Sequence, residues 1–215
     1  YQNAMFSLSQ EIMLKATGKD IQTLLNDKFF KPLNMQSVSM DHKALLNSEN
    51  VALPHRKSGG HWRALSLTDK YYNAIAAGGI NASSLDMAKW MRFLLGHNPE
   101  VMSKDAVEQV FKPYIALNGH SKYYQRWPGH LKSAYGFGWR IHTVKENEKV
   151  GEETIWHHGG SVNNYRNEIA LFPDSDLGIC VLLNGNSKLA KTVIPDIHAI
   201  VRSIYEQDIS TPGSL

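Results

Sequence analysis

Four short runs of β-type residues follow one another in the later part of the chain: AYGFGWRIHTV from Ala134, EETIWHH from Glu152, YRNEIALF from Tyr165 and LGICVLLNG from Leu177. The gaps between them are short and polar, notably Lys145 to Gly151 and Pro173 to Asp176, which is the texture of hairpin connections. The pattern predicts a meandering antiparallel sheet, with Ile179 to Leu183 as its most buried strand. The segment that follows, KLAKTVIPDIHAIVRSIYE, places Ala190, Ile194, Ile197, Val201 and Ile204 on one face. It reads as a helix packed on that sheet, kinked at or starting from Pro195.

Before this sheet the periodicity is helical. Met5, Leu8, Ile12, Met13 and Ala16 recur at helical spacing, and Gly18 supplies a stop after Thr17. Asp20 is a good N-cap for a second helix reaching Pro32, with Ile21, Leu24, Leu25 and Phe29 on its buried side. Residues 36 to 76 hold no sustained period and contain Ser58-Gly59-Gly60, so they read as a long ordered excursion. Ser83 or Ser84 caps a third helix, carrying Leu85, Met87, Ala88, Met91, Leu94 and Leu95 and closed by Gly96. A short helix begins at Ser103, and an aromatic, polar loop runs from Tyr123 to Pro128. The expected class is mixed α/β: a mostly helical part over 1–132, and an antiparallel sheet with its C-terminal helix over 133–215, within one domain.

Composition removes several function classes. The 215 residues are 42% hydrophobic and 20% charged, a globular balance. The net charge of +3 comes without runs of basic residues or basic-aromatic interleaving, so no nucleic-acid partner is expected. The one cysteine, Cys180, lies in an apolar run and reads as a buried structural thiol. No apolar stretch approaches the ~20 residues of a membrane-spanning helix. The sequence begins at Tyr1 without a methionine or a signal peptide, and reads as a fragment or a processed product.

The stretch IWHHGGSVNNYRN, Ile155 to Asn167, is the densest in candidate chemistry. Adjacent residues of a strand point to opposite faces, so His157 and His158 cannot readily ligate one metal ion together. Gly159-Gly160 lacks the Lys-Ser/Thr of a phosphate-binding loop and the helix that would follow it. Taken in isolation, the stretch is best read as a tight strand end in which glycines relieve backbone crowding.

Four groups of residues, in order, change that weighting. They are Tyr1-Gln2-Asn3 ahead of a helix; Thr17-Gly18-Lys19 with FFKPLNM; AAGGINASSLDMAKWMRFLL; and YGFGW, His158-Gly159-Gly160, Tyr165, Pro173 and VLLNG. In this order and spacing the chain resembles the serine β-lactamase and penicillin-binding-protein-like hydrolases, in the branch of class C β-lactamases, D-alanyl-D-alanine carboxypeptidases and related esterases. The resemblance runs from Tyr1 to about Glu206. It implies a β-lactamase/transpeptidase-like fold whose N-terminal strands and nucleophile helix are absent from this chain.

The resemblance also implies roles. His158 takes the cationic position of the Lys-Thr-Gly or His-x-Gly strand beside the nucleophile, and His157 points to the other side. Gly159 and Gly160 let the substrate backbone lie against the strand edge, and the Ser161 N–H supplies one half of the oxyanion hole. Tyr1 matches the tyrosine that handles the proton of the nucleophile or leaving group. A phenol needs cationic neighbours to act as a base near neutral pH, and a protonated His158 would be one. Asn3 would hydrogen-bond a substrate amide or the site lysine. No metal or organic cofactor is implied, and an extracytoplasmic location follows from the family alone.

Two departures qualify this reading. No serine in the chain has a lysine three positions on, and there is no Gly-x-Ser-x-Gly, so the nucleophile is expected upstream of Tyr1. By itself the chain is then expected to be inert, with an apolar surface and a sheet edge open to self-association. Gly159 also lacks the hydroxyl that many relatives use on a substrate carboxylate, which leaves β-lactams less secure as substrates than acyl transfer in general. The expected function is therefore an acyl-enzyme hydrolase of amide or ester bonds, acting on a β-lactam, a D-amino-acid peptide or an ester. The alternative is a non-catalytic scaffold or binding relative that kept the fold.

Overall fold

The computed structural model describes residues 2–118, 127–145 and 151–210, the side chains of 206–210 excepted. Most of the loop expected from Tyr123 to Pro128, the middle of the expected Lys145–Gly151 turn and residues 211–215 lie outside the described residues. The chain forms two compact units. One comprises Tyr1–Val107 with Ser161–Arg166 and Leu182–Asn186, and the other Glu108–Gly160, Asn167–Val181 and Ser187–Leu215.

The first unit is largely helical. Helix α1 (Asn3–Thr17) stops at Gly18, whose φ of 70° is a left-handed C-cap that only a residue without a Cβ adopts freely. Helix α2 (Ile21–Leu25) is capped by Asp20, whose carboxylate accepts the Thr23 N–H at 2.9 Å. The expected continuous helix to Pro32 instead widens into a π-helical turn at Asn26–Phe30. The residue it buries is Phe30, while Phe29 is half-buried against Trp90 and Phe93.

The excursion over 36–76 is not structureless. It holds helix α3 (His42–Leu46), strands β1 (His55–Ser58) and β2 (His61–Ala64) paired antiparallel, and helix α4 (Ile75–Gly78). The hairpin turns at Gly59 and Gly60, both at positive φ. Helix α5 (Ser84–Leu94) is capped by Ser83, whose hydroxyl accepts the Asp86 N–H at 3.1 Å while the Asp86 carboxylate accepts the Ser83 N–H at 3.3 Å. Helix α6 (Lys104–Val110) leads out of this unit.

The second unit is built on a six-stranded sheet whose order follows the sequence: β3 (Ile115–Ala116), β4 (His130–Tyr135), β5 (Arg140–Val144), β6 (Glu153–Val162), β7 (Tyr165–Phe172) and β8 (Leu177–Leu183). The meander expected from the four runs is present, with one subdivision. AYGFGWRIHTV is not a single strand, because Gly136 to Trp139 form the turn between β4 and β5, with Gly138 at φ 82°. The most buried strand segment is Glu168–Phe172 of β7, not Ile179–Leu183. The cause is position: β8 ends the strand order, whereas β7 has a neighbour on each side.

Helix α7 (Val193–Ser210) carries Pro195 in its first turn, where a missing N–H costs nothing. Val193 and Ile194 join Val144, Ile155, Ala170, Phe172, Ile179 and Trp127 in the core of this unit. Ile204, expected on the buried face, is exposed. The core also takes in polar groups: His142, His157 and Glu168 are at most 1% exposed. His130 Nε2 lies 2.7 Å from Ser133 Oγ, and Ser133 Oγ lies 2.8 Å from His142 Nδ1.

Candidate active-site edge

Strand β6 pairs with β5 in the register Arg140↔His157, Ile141↔Trp156 and His142↔Ile155. The two-residue pleat period then sorts its side chains. Ile155 and His157 face the core and are 2% and 0% exposed. His158 belongs to the opposite parity and is half-buried, with the Trp139 ring 6.4 Å from its own.

His157 Nε2 lies 2.8 Å from Glu168 Oε2, and neither side chain has exposed surface. A carboxylate removed from water requires such a partner, because its unpaired charge would otherwise be strongly destabilising. This contact ties β6 to β7.

His158 Nδ1 is hydrogen-bonded to the carbonyl oxygen of Gly138. A carbonyl oxygen only accepts, so Nδ1 carries the proton, and in the neutral ring Nε2 bears the lone pair. Burial pushes the pKa of His158 below its ordinary value. The Gly138 carbonyl opposes that shift, the Arg140 charge adds to it, and the Glu168 carboxylate opposes it. The shift favours the neutral ring at neutral pH, unlike the fixed cation that a lysine would give.

The two glycines differ in what requires them. A Cβ on Gly159 would lie 2.6 Å from Glu168 Cδ and 2.7 Å from Oε1, a space already filled. A Cβ on Gly160 would meet nothing within 4 Å. Neither has positive φ, so Gly159 is there for room and not for backbone freedom. Ser161 follows on the same strand and is exposed.

The hairpin beyond it turns through Asn163 and Asn164, at φ 49° and 67°. These are the left-handed values of a type I′ connection, which asparagine tolerates better than most residues. Tyr165 donates its hydroxyl proton to the Ala52 carbonyl at 2.6 Å, and burial, with the nearby Tyr72, raises its pKa.

Of the residues picked out from sequence, His158, Gly159 and Gly160 stand consecutively on β6 with Ser161 next in line. Asn3 is the first residue of α1 and is exposed, its carbonyl accepting the Ser7 hydroxyl at 2.9 Å. Tyr1 lies outside the described residues. Sequence reasoning missed Gly138, Arg140 and Glu168. For Glu168 a signal existed: it is an acid at the same parity as the apolar Ala170 and Phe172 in YRNEIALF. Among the described residues no group of three or more His, Cys, Asp or Glu is placed to hold a metal ion, and no helix is long and apolar enough to cross a membrane.

Residues 1–201 match the sequence profile of the family described as Beta-lactamase. An unguisins hydrolase of Aspergillus campestris is 26% identical over 190 residues, covering 87% of this chain and 33% of that protein. A D-aminopeptidase of Gluconobacter oxydans is 23% identical over 218 residues, 98% of this chain and 36% of that protein. The chain thus spans about a third of the length of these curated relatives. Among solved structures, an octameric penicillin-binding protein homologue from Pyrococcus abyssi superposes with a TM-score of 0.72 at 23% identity, covering 93% of this chain and 42% of that one. A D-stereospecific amidohydrolase from Streptomyces gives a TM-score of 0.66 at 17% identity, over 89% of this chain and 52% of that one.

Proposed function

This chain belongs to the beta-lactamase family of hydrolases, and from that premise we propose that it is the C-terminal part of a serine hydrolase working through an acyl-enzyme on amide or ester bonds. The observation that supports this reading best is the ordered edge of β6, where His158, Gly159, Gly160 and the Ser161 backbone follow one another.

In the proposed reaction a serine supplied from outside the 215 residues attacks the substrate carbonyl. The oxygen of the tetrahedral intermediate accepts a hydrogen bond from the Ser161 N–H. Tyr1, together with a lysine of the nucleophile motif, handles the proton passing from serine to leaving group. His158 takes part through Nε2 as a proton or hydrogen-bond acceptor, since the Gly138 carbonyl occupies Nδ1. Asn3 hydrogen-bonds the substrate amide, and the substrate backbone runs along Gly159 and Gly160. Amides and peptides of D-amino acids rank ahead of β-lactams. Two similar proteins bear D-specific names, and position 159 has no hydroxyl for a carboxylate.

The test is parallel labelling of the 215-residue chain and the full-length protein of the same reading frame, with a fluorophosphonate probe and a fluorescent penicillin, followed by peptide mapping. The expected outcome is a full-length protein labelled at an upstream serine beside a silent 215-residue chain. A folded full-length protein that takes up neither probe would point instead to a non-catalytic scaffold. Label within the 215 residues would mean that the nucleophile is misplaced.

A further inference from the structure

We propose that Glu168 is the positioning residue of the His158 edge: its carboxylate holds β6 at His157 on one side of His158 and, by filling the space beside position 159 on the other, dictates glycine there. His157 and Gly159 share one parity of the strand and flank His158, which has the other. Both meet the same carboxylate. His157 Nε2 is 2.8 Å from Glu168 Oε2, and a Cβ on Gly159 would come within 2.6 Å of Glu168 Cδ.

The carboxylate has little freedom to yield. Glu168 is 1% exposed, and swinging away would break its contact with His157 and leave two buried polar groups without each other. A side chain at 159 must therefore displace β6 itself, and with it the backbone that carries His158. The absence of a hydroxyl at 159 is on this account a consequence of Glu168, which makes the pair a determinant of what the edge can recognise.

Glu168 also acts on His158 electrostatically. The Gly138 carbonyl and the Trp139 ring adjoin that ring, and Arg140 and Glu168 act on it through their charges. Glu168 favours the protonated ring and Arg140 disfavours it.

The catalytic consequence rests on the acyl-enzyme reading, so the test separates the two. In the full-length protein, Gly159→Ala, Glu168→Ala, their double variant and Glu168→Gln are compared by fluorophosphonate labelling rate. The titration of the His158 ring is followed by NMR, assigned with His158→Gln. Gly159→Ala is expected to slow labelling roughly 10- to 100-fold, the scale of loss for a misplacement of up to about 1 Å at an active site. Adding Glu168→Ala should restore part of that loss, because the obstruction is gone. Glu168→Gln keeps the volume and removes the charge, and should move the His158 midpoint downward, a readout that a purely structural role would leave in place.

Additive losses in the double variant, or an unmoved His158 midpoint in Glu168→Gln, would overturn the proposal. If Glu168→Ala does not fold, the Glu168→Gln titration decides alone. If the unmodified protein takes no label at all, the acyl-enzyme reading fails, while the titration still tests Glu168.

Discussion

Helix α1 spans 15 residues and buries none of them, whereas strand β6 spans 10 and fully buries Ile155 and His157. Both carry residues picked out from the sequence, Asn3 on the helix and His158 on the strand. The strand draws its geometry from neighbours within this chain: β5 and β7 pair with it, Glu168 fixes it from the core side, and Gly138 fixes the His158 ring. The helix is held by internal hydrogen bonds, the Gly18 cap and one side packed against α4, where Phe6 is half-buried, while it presents Met5, Leu8 and Ile12 to solvent. A short strand can thus be more fully determined than a longer helix, because determination follows burial and partners and not length.

The largest test of that contrast is Phe172→Ala. Phe172 is wholly buried, stacks on His198 at 3.9 Å and meets Trp127 edge-on at 6.3 Å. Its truncation should cost about 3–5 kcal/mol in urea unfolding of the 215-residue chain. A loss under about 1 kcal/mol would mean that the second unit is not a packed core.

Next in size is a chemical test. Burial pushes the Cys180 thiol from 9.0 up to about 11, so at pH 8 its thiolate is roughly 100-fold scarcer than in the unfolded chain. Iodoacetamide should alkylate the folded protein slower by about that factor. The folded pKa is the higher one, so the thiol's contribution to stability is intact below about pH 9 and is lost as pH rises toward 11. Equal rates in folded and unfolded protein would show that β8 does not shield the thiol.

What the sequence disclosed about these regions follows the same divide. Strands β6, β7 and β8 were legible because runs of β-branched, aromatic and other apolar residues are separated by short polar turns. The β1–β2 hairpin was not, since β2 is exposed at every residue and β1 at all but His55, which leaves no alternation to read. The turn in YGFGW was hidden because its aromatic residues carry strand propensity while Gly136 and Gly138 do the bending. The π-helical turn at Asn26–Phe30 has no sequence period of its own. The opposed faces of His157 and His158 were legible from the pleat alone. The acid that holds His157 was signalled only by its parity with Ala170 and Phe172, and its pairing with His157 was not legible, because it depends on how β6 and β7 align.

Helix α5 provides a smaller test, since its end is set by side chains within a few residues of it. Ser83→Ala removes the hydroxyl that accepts the Asp86 N–H and leaves Asp86, which is 2% exposed, with one contact fewer. The expected cost is about 1 kcal/mol by thermal unfolding. Ser83→Asn keeps an acceptor for the Asp86 N–H and a donor for the Asp86 carboxylate, and separates capping from loss of the hydroxyl itself.

The smallest effect expected in the 215-residue chain bears most directly on α1. Ile12 is 65% exposed, so Ile12→Ala in the 215-residue chain should change stability by no more than about 0.5 kcal/mol. On the acyl-enzyme reading, the segment that supplies the serine also covers the apolar side of α1. In the full-length protein the same truncation should then cost about 2–5 kcal/mol, the range for a buried aliphatic residue. Thermal melts of the two proteins, each with and without the substitution, measure the difference directly. If Ile12→Ala is equally silent in both, α1 is a solvent-facing helix in its own right and the contrast with β6 is a property of the fold. If the cost appears only in the longer protein, residues outside the 215 cover the apolar side of α1, and its determination, like that of β6, comes from burial and partners.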